Sequence, residues 1–228
     1  MGVSAPLYAG DYDISLDGLA GVQDDFLKLS EDLGAALSYK ALAPVEPLGS
    51  LGFDIGIEMS SSAVANSDVW KKVTGEDISN LPVPRVHLHK GLPLNVDIAA
   101  SYATIPASDI TLFAWELRYA FMEGNIALPA VAIRYTQSNL SGVEQLSFST
   151  RGVELGISKG FAMATPYAGV GQIWVDSGAS IAALKDESFS MRKLFVGLNF
   201  NLGLMNLAVE GDKTGEVTSY GGKISFRF

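Results

Sequence analysis

KLFVGLNFNL, Lys193 to Leu202, places Leu194, Val196, Leu198, Phe200 and Leu202 on one side of an extended chain, and Lys193, Gly197, Asn199 and Asn201 on the other. Side chains of a strand alternate between two faces, so this period of two marks a strand lying between two unlike environments. In a soluble sandwich the apolar side would face a core and the other side would carry the dense charge of a water-exposed surface. Here the second side carries a single charge beside glycine and amides.

The same unit recurs along most of the chain. In LGFDIGIEM, Leu51, Phe53, Ile55, Ile57 and Met59 oppose Gly52, Asp54, Gly56 and Glu58. RVHLHKG, LNVDIAASY, TLFAWELRYAF, PAVAIRY and MNLAVEG repeat the split, with less regular segments at 35–43, 145–158 and 165–176. About eleven such segments alternate between tight connections (GLPL, MEGN, NLGLMN) and longer polar ones at 60–82, 137–144, 177–188 and 211–217. That rhythm predicts up-and-down antiparallel hairpins with short turns at one end and long loops at the other.

Composition narrows the reading. The chain is 48% hydrophobic and only 18% charged, with 24 glycines, which is greasy for a soluble domain. Yet its longest apolar run, IALPAVAI (126–133), is broken by Pro129 and falls far short of the ~20 residues of a membrane-spanning helix. There is no cysteine, hence no disulfide framework or thiolate metal site. An acidic chain of net charge −9 without a basic patch argues against nucleic acid as a partner. The opening MGVSAPLYAG has neither a basic n-region nor an apolar h-region, so no signal peptide is read in this chain. Either it is cytosolic or it starts at the mature sequence behind an added Met.

The strand faces decide between these. Large aromatics gather near strand ends on the apolar side: Tyr102, Tyr119, Phe121, Tyr135, Phe200, Tyr220 and Phe228. Aromatic girdles bordering an apolar band are what a bilayer selects in a β-barrel. The apolar side is therefore assigned to lipid and the small and charged residues to a lumen. Closure follows, because an open sheet edge in hydrocarbon leaves backbone groups unsatisfied. A lipocalin-like barrel would require the opposite arrangement, apolar inside and charged outside.

The last strand, YGGKISFRF, ends in Phe228, with Phe226 and Ile224 third and fifth from the end and Tyr220 ninth. This pattern resembles the C-terminal signature of Gram-negative outer-membrane β-barrels. The resemblance implies a bacterial outer-membrane location, closure of the last strand on the first, and recognition of Tyr220, Ile224, Phe226 and Phe228 by the barrel-assembly machinery. It identifies the superfamily and no single function.

The expected fold is thus all-β: a transmembrane antiparallel up-and-down barrel of about 12 strands (10–12) over residues 35–228, preceded by an acidic segment at 1–34. That segment, with Leu19, Val22, Phe26, Leu29 and Leu33 at helical spacing, reads as one amphipathic helix with Asp17 as N-cap and Gly34 just past its end. Its net charge is −6, from Asp11, Asp13, Asp17, Asp24, Asp25, Glu31 and Asp32 against Lys28. Single-chain barrels usually have an even strand count with both ends on one side. Eleven segments therefore call for a twelfth strand at YDISL (12–16), for an N-terminal segment that passes through the lumen as a plug, or for a strand count that differs by one.

Lumen-lining charges are expected at Lys40, Asp54, Glu58, Arg85, His87, His89, Asp97, Glu116, Arg118, Arg134, Glu154, Lys193, Glu210, Lys223 and Arg227. Six acids against seven bases make a nearly neutral wall able to pair across strands, unlike a pore charged with one sign for one class of ion. The reading is a narrow passive channel for small solutes or ions, with the bilayer and the assembly machinery as its other partners. Removing the acidic segment would then shift ion preference toward anions. Two alternatives stand: a surface-interaction barrel using loop 60–82 with Trp70, Lys71 and Lys72, and a lipid-directed enzyme using His87 or His89 with Ser60, Ser61 or Ser62. Such an enzyme site would have to meet lipid, whereas both histidines are assigned inward, so no enzymatic activity and no cofactor are expected. HLH as half of a metal site has no third His or Cys to complete it.

Overall fold

The computed structural model describes residues 15–104 and 110–228. Among them a 3-10 turn (Leu16–Leu19) and helix α1 (Gln23–Leu37) precede strand β1 (Phe53–Ala63), helix α2 (Ser67–Thr74), and strands β2 (Asn80–Leu92), β3 (Val96–Thr104), β4 (Thr111–Glu123), β5 (Ala130–Ser141), β6 (Leu146–Ser158), β7 (Ala164–Ala179), β8 (Glu187–Leu202), β9 (Met205–Thr214) and β10 (Val217–Arg227). Consecutive strands pair antiparallel, and β1 pairs with β10 to close the barrel. At the seam Ile55 lies opposite Phe226 and Ile57 opposite Ile224. The backbones of Phe53 and Phe228 exchange two hydrogen bonds, 2.8 and 3.1 Å, and their rings meet edge-on at 4.0 Å.

The barrel has ten strands, fewer than the alternation suggests. The segment at 35–43 is not a strand: it leaves the end of α1 and runs on without pairing. Every residue from Asp32 to Val45 is buried, whereas a wall strand exposes every second side chain. Alternation in AALSYKALA therefore reflects a chain surrounded on all sides. YDISL lies largely outside the described residues, and Leu16, its last residue, begins the 3-10 turn. The helix also differs from expectation. Asp17 sits in the 3-10 turn, Val22 is the N-cap, and α1 continues past Gly34 to Leu37. Gly34 serves close packing instead of ending the helix, since a Cβ there would stand 2.7 Å from Met191 Cε and 2.8 Å from Val175 Cγ2 of the wall.

The two barrel surfaces are chemically distinct. Ile57, Val86, Ile98, Leu117, Ile133, Leu155, Val170, Val196, Val209 and Ile224 project outward and are exposed, whereas Asp54, Arg85, Asp97, Glu116, Arg118, Arg134, Glu154, Lys193 and Lys223 are buried inside. Toward the loop end the outward positions turn polar, as at Gln137, Asn139, Ser149, Arg151, Ser190 and Arg192. A closed barrel, apolar outside and ionic within, is an integral outer-membrane β-barrel, the only sheet form that leaves no unsatisfied edge in lipid. Leu198, facing outward in the middle of the β8 band, gives a direct check. Leu198→Arg should cost roughly 2–4 kcal/mol of unfolding free energy in bilayer, since charge on the lipid face is costly at depth, whereas Ser190→Arg near the loop end should cost about 0–1. Equal costs in denaturant titrations would contradict the band.

Candidate functional site: the lumen and the chain threaded through it

Residues 38–48, without helix or strand and with a left-handed Leu42 (φ +46°), form a strap that descends the barrel interior, and wall side chains grip the main chain of the last turn of α1 and of the strap at successive heights. Near the loop end Arg85 Nη2 donates to the Ala36 carbonyl at 3.2 Å and Ser138 Oγ to the Leu37 carbonyl at 2.8 Å. Lys193 Nζ then donates to the Tyr39 carbonyl at 3.0 Å. Lower down Arg118 Nη1 donates to the Pro44 carbonyl at 2.6 Å, while the Val45 and Leu48 N–H groups donate to Ser158 Oγ and Asp97 Oδ1. Buried backbone groups need partners; the end of α1 finds them on β2 and β5, and the strap on β3, β4, β6 and β8. Two strap side chains also reach the wall. Lys40 Nζ bonds both carboxylate oxygens of Asp212 at 2.8 Å, and the Tyr39 hydroxyl lies 3.3 Å from His89 Nε2.

At the turn end the strap reverses into β1 over a tight glycine corner. Gly49 has φ +76°, and a Cβ on Gly91 would fall 2.0 Å from the Gly49 carbonyl oxygen. Only glycine permits both the left-handed turn and the close approach. Lys90 Nζ fastens the corner by donating to the carbonyls of Ser50, Gly52 and Gly91.

The wall charges pair because strand registers set opposite signs side by side. Asp97 lies opposite Arg118, which donates to Asp97 Oδ2 from Nε and Nη2 at 3.1 and 2.7 Å. Arg134 lies opposite Glu154 and bridges it to Glu116, at 2.8 and 3.1 Å. Glu154 also reaches Lys193 at 2.7 Å across β7. The residue between them is Gly171, where a Cβ would meet Glu154 Cγ at 2.7 Å, so glycine opens the bridge. Asp54 gathers His87 (3.0 Å), Lys223 (2.9 Å) and Arg227 (2.7 Å). Glu58 lies 3.9 Å from Arg85 and 3.6 Å from His87 Nδ1.

The predicted lumen residues thus cluster inside the barrel, with two revisions. Lys40 belongs to the strap and not to the wall, and Arg227 is half-exposed at the turn end. Glu210 is buried beside Gly197, over which the Tyr167 ring lies. The hydroxyls near the histidines are engaged elsewhere: Ser60 accepts from Arg85 and Ser62 pairs with Ser219. No cluster of three metal-ligating side chains occurs among the described residues.

Several residues of the site were not read from the sequence. Asp212 follows the inward parity of Asn206 and Glu210, but it lies in the polar stretch 211–217 that reads as a connection, whereas β9 continues to Thr214. Phe195 shares the inward parity of Lys193, Gly197 and Asn199 in β8 and is the one aromatic among them. It is fully buried with Arg134 and Lys193 over its ring at 5.8 and 5.6 Å, and Gly169 leaves the space it fills.

Above the strap, α1 and α2 close the loop end with an apolar cap. Leu16, Leu19, Phe26, Leu29, Leu33, Val69, Trp70 and Val73 pack with Leu112, Phe148, Ile173 and Val175 of the upper wall. Asp32 fixes the two helices to each other. Its carboxylate accepts from the Ala65 and Asn66 N–H groups, Asn66 Nδ2 and Trp70 Nε1. Burial pushes this carboxyl upward in pKa, against the pull of those donors. Trp70 is therefore an internal strut, while Lys71 and Lys72 pair with Asp77 and Asp25.

No family model and no curated protein matches the chain. Among solved structures it is similar to the KdgM porin in complex with disordered oligogalacturonate, at 8% identity over 78% of this chain and 99% of that one, with a TM-score of 0.41. It is also similar to Ail, the attachment invasion locus protein of Yersinia pestis, at 14% identity over 78% and 97%, TM-score 0.30. A third is a loop-deletion mutant of OmpT, an outer membrane protein of Vibrio cholerae, at 11% identity over 67% and 56%, TM-score 0.35. The chain spans little more than half the length of that OmpT structure.

Proposed function

We propose that this barrel is a narrow, weakly selective channel for small solutes or ions whose lumen is held shut by its own N-terminal segment. The observation that carries this reading is the threaded segment, the end of α1 and the strap after it, whose main chain is bonded by wall side chains from Arg85 near the top to Asp97 near the bottom. A wall of paired opposite charges favours no single ion class, which suits small solutes better than one charged substrate. The test is single-channel conductance in planar bilayers, full chain against a chain lacking residues 1–48. The competing reading, a barrel that binds a surface partner through loop 60–82, has less support because Trp70 is committed to the cap.

The terminal residues Tyr220, Ile224, Phe226 and Phe228 are all exposed on the outer face, and we read them as the segment recognised by the barrel-assembly machinery. Deleting Phe228 should lower membrane levels in cells far more than it lowers refolding yield in micelles, because only the former requires recognition. Unchanged membrane levels would refute that role.

A further inference from the structure

The strap has a direction, and the direction fixes the side of the membrane on which the chain begins its passage. β1 starts at the turn end, beside the β2–β3 turn, where the strap corner packs on Gly91. Followed backward, the strap meets Asp97 and Ser158 at the turn end, then Arg118 and Lys193, and the last turn of α1 meets Ser138 and Arg85 toward the loops. From there α1 and the 3-10 turn bond to three separate loop-end segments. The Ser15 N–H donates to the Val73 carbonyl at 3.2 Å, and the Leu16 N–H to Gln145 Oε1 at 2.7 Å. Gln23 exchanges hydrogen bonds with the backbone of Lys185 in the β7–β8 loop, both at 2.9 Å. Ser15 therefore lies at the loop end, one full barrel length from the start of β1.

In outer-membrane barrels the short turns face the periplasm and the longer loops the exterior. The outer wall agrees, since its loop-end portion is polar at Gln137, Asn139, Ser149, Arg151, Ser190 and Arg192, as required of a rim standing clear of lipid. We propose that this barrel is a one-pass display anchor: it threads its own N-terminal segment once through its lumen, so that Ser15 stands at the outer surface of the membrane. Both C-terminal closure and N-terminal threading then use the same ten strands, with Phe228 on the periplasmic side and Ser15 outside. The grip on the strap acts mainly through peptide groups, so its hold depends little on strap side chains. The proposal concerns sidedness and stands or falls separately from whether the lumen ever conducts.

The chain has no cysteine, so single-cysteine variants report cleanly. Ala20, Ala183 and Ala127 are all exposed: the first follows the 3-10 turn, the second lies in the β7–β8 loop, and the third in the β4–β5 turn. On intact cells a membrane-impermeant maleimide should label Ala20→Cys as fully as Ala183→Cys, whereas Ala127→Cys should label only after the outer membrane is permeabilised. Protection of Ala20→Cys alongside Ala127→Cys would overturn the proposal by placing the segment's start in the periplasm. Labelling of Ala127→Cys but not Ala183→Cys on intact cells would overturn it by inverting the barrel.

Discussion

Deleting residues 1–48 is expected to turn an electrically silent barrel into an open channel with a slight preference for cations. In the full chain the strap and cap fill the interior, and wall donors such as Arg118 and Lys193 spend hydrogen bonds on strap carbonyls. Without them those groups are free to hydrate, and the seam between β1 and β10 retains its own register. The exposed wall would carry Asp54, Glu58, Asp97, Glu116, Glu154, Glu210 and Asp212 against Arg85, Arg118, Arg134, Lys193, Lys223 and Arg227. Counting Lys40 on the wall and omitting Asp212 leads to the opposite expectation, a shift toward anions. The structure reverses it by moving Lys40 to the strap and adding Asp212 to the wall. The preference should fade as salt rises, because the Debye length falls from about 10 Å at 0.1 M to about 3 Å at 1 M. Equal conductance with and without the segment, in barrels shown folded by circular dichroism, would remove the occlusion reading.

Arg118→Met should be the most damaging single substitution in the lumen, costing about 3–5 kcal/mol of unfolding free energy because it strands a buried carboxylate. Arg118 and Asp97 are each 1% exposed, and the guanidinium both chelates Asp97 and donates to the Pro44 carbonyl. The double variant Arg118→Met with Asp97→Asn should recover most of the loss, since the unpaired charge is then gone. Arg118→Lys should fall between, keeping the charge but losing the fork that contacts both partners. Denaturant titration in micelles measures all three. A parent-like Arg118→Met would mean that the ionic layer contributes little to holding strap and wall together.

Outer and inner faces were legible along most strands because a strand's period of two is fixed by backbone geometry alone. KLFVGLNFNL shows both the strength and the limit of that rule. Leu194, Val196, Leu198, Phe200 and Leu202 take the outward parity and Phe195 the inward one, but the apolar character of Phe195 does not announce an inner face, which Gly169 makes roomy enough for it and where two cations lie over its ring. Glycines that read as small lumen residues turn out to be spacers for particular neighbours, as Gly171 is for the bridge from Glu154 to Lys193. Such pairings depend on register between strands, which no single strand encodes.

What the sequence determined by itself is the closed barrel: alternation, a face poor in charge, aromatic borders and a terminal aromatic strand allow few other solutions in a membrane. What only the tertiary structure decided is the fate of residues 15–48. AALSYKALA alternates like a wall strand, and Gly34 reads like a helix stop, because local pattern reports the polarity of the surroundings and not their identity. Whether those surroundings are lipid and lumen, or lumen on every side, depends on which long-range partners, Asp212 for Lys40, Asp97 for Leu48 and Val175 for Gly34, the closed barrel brings around the chain.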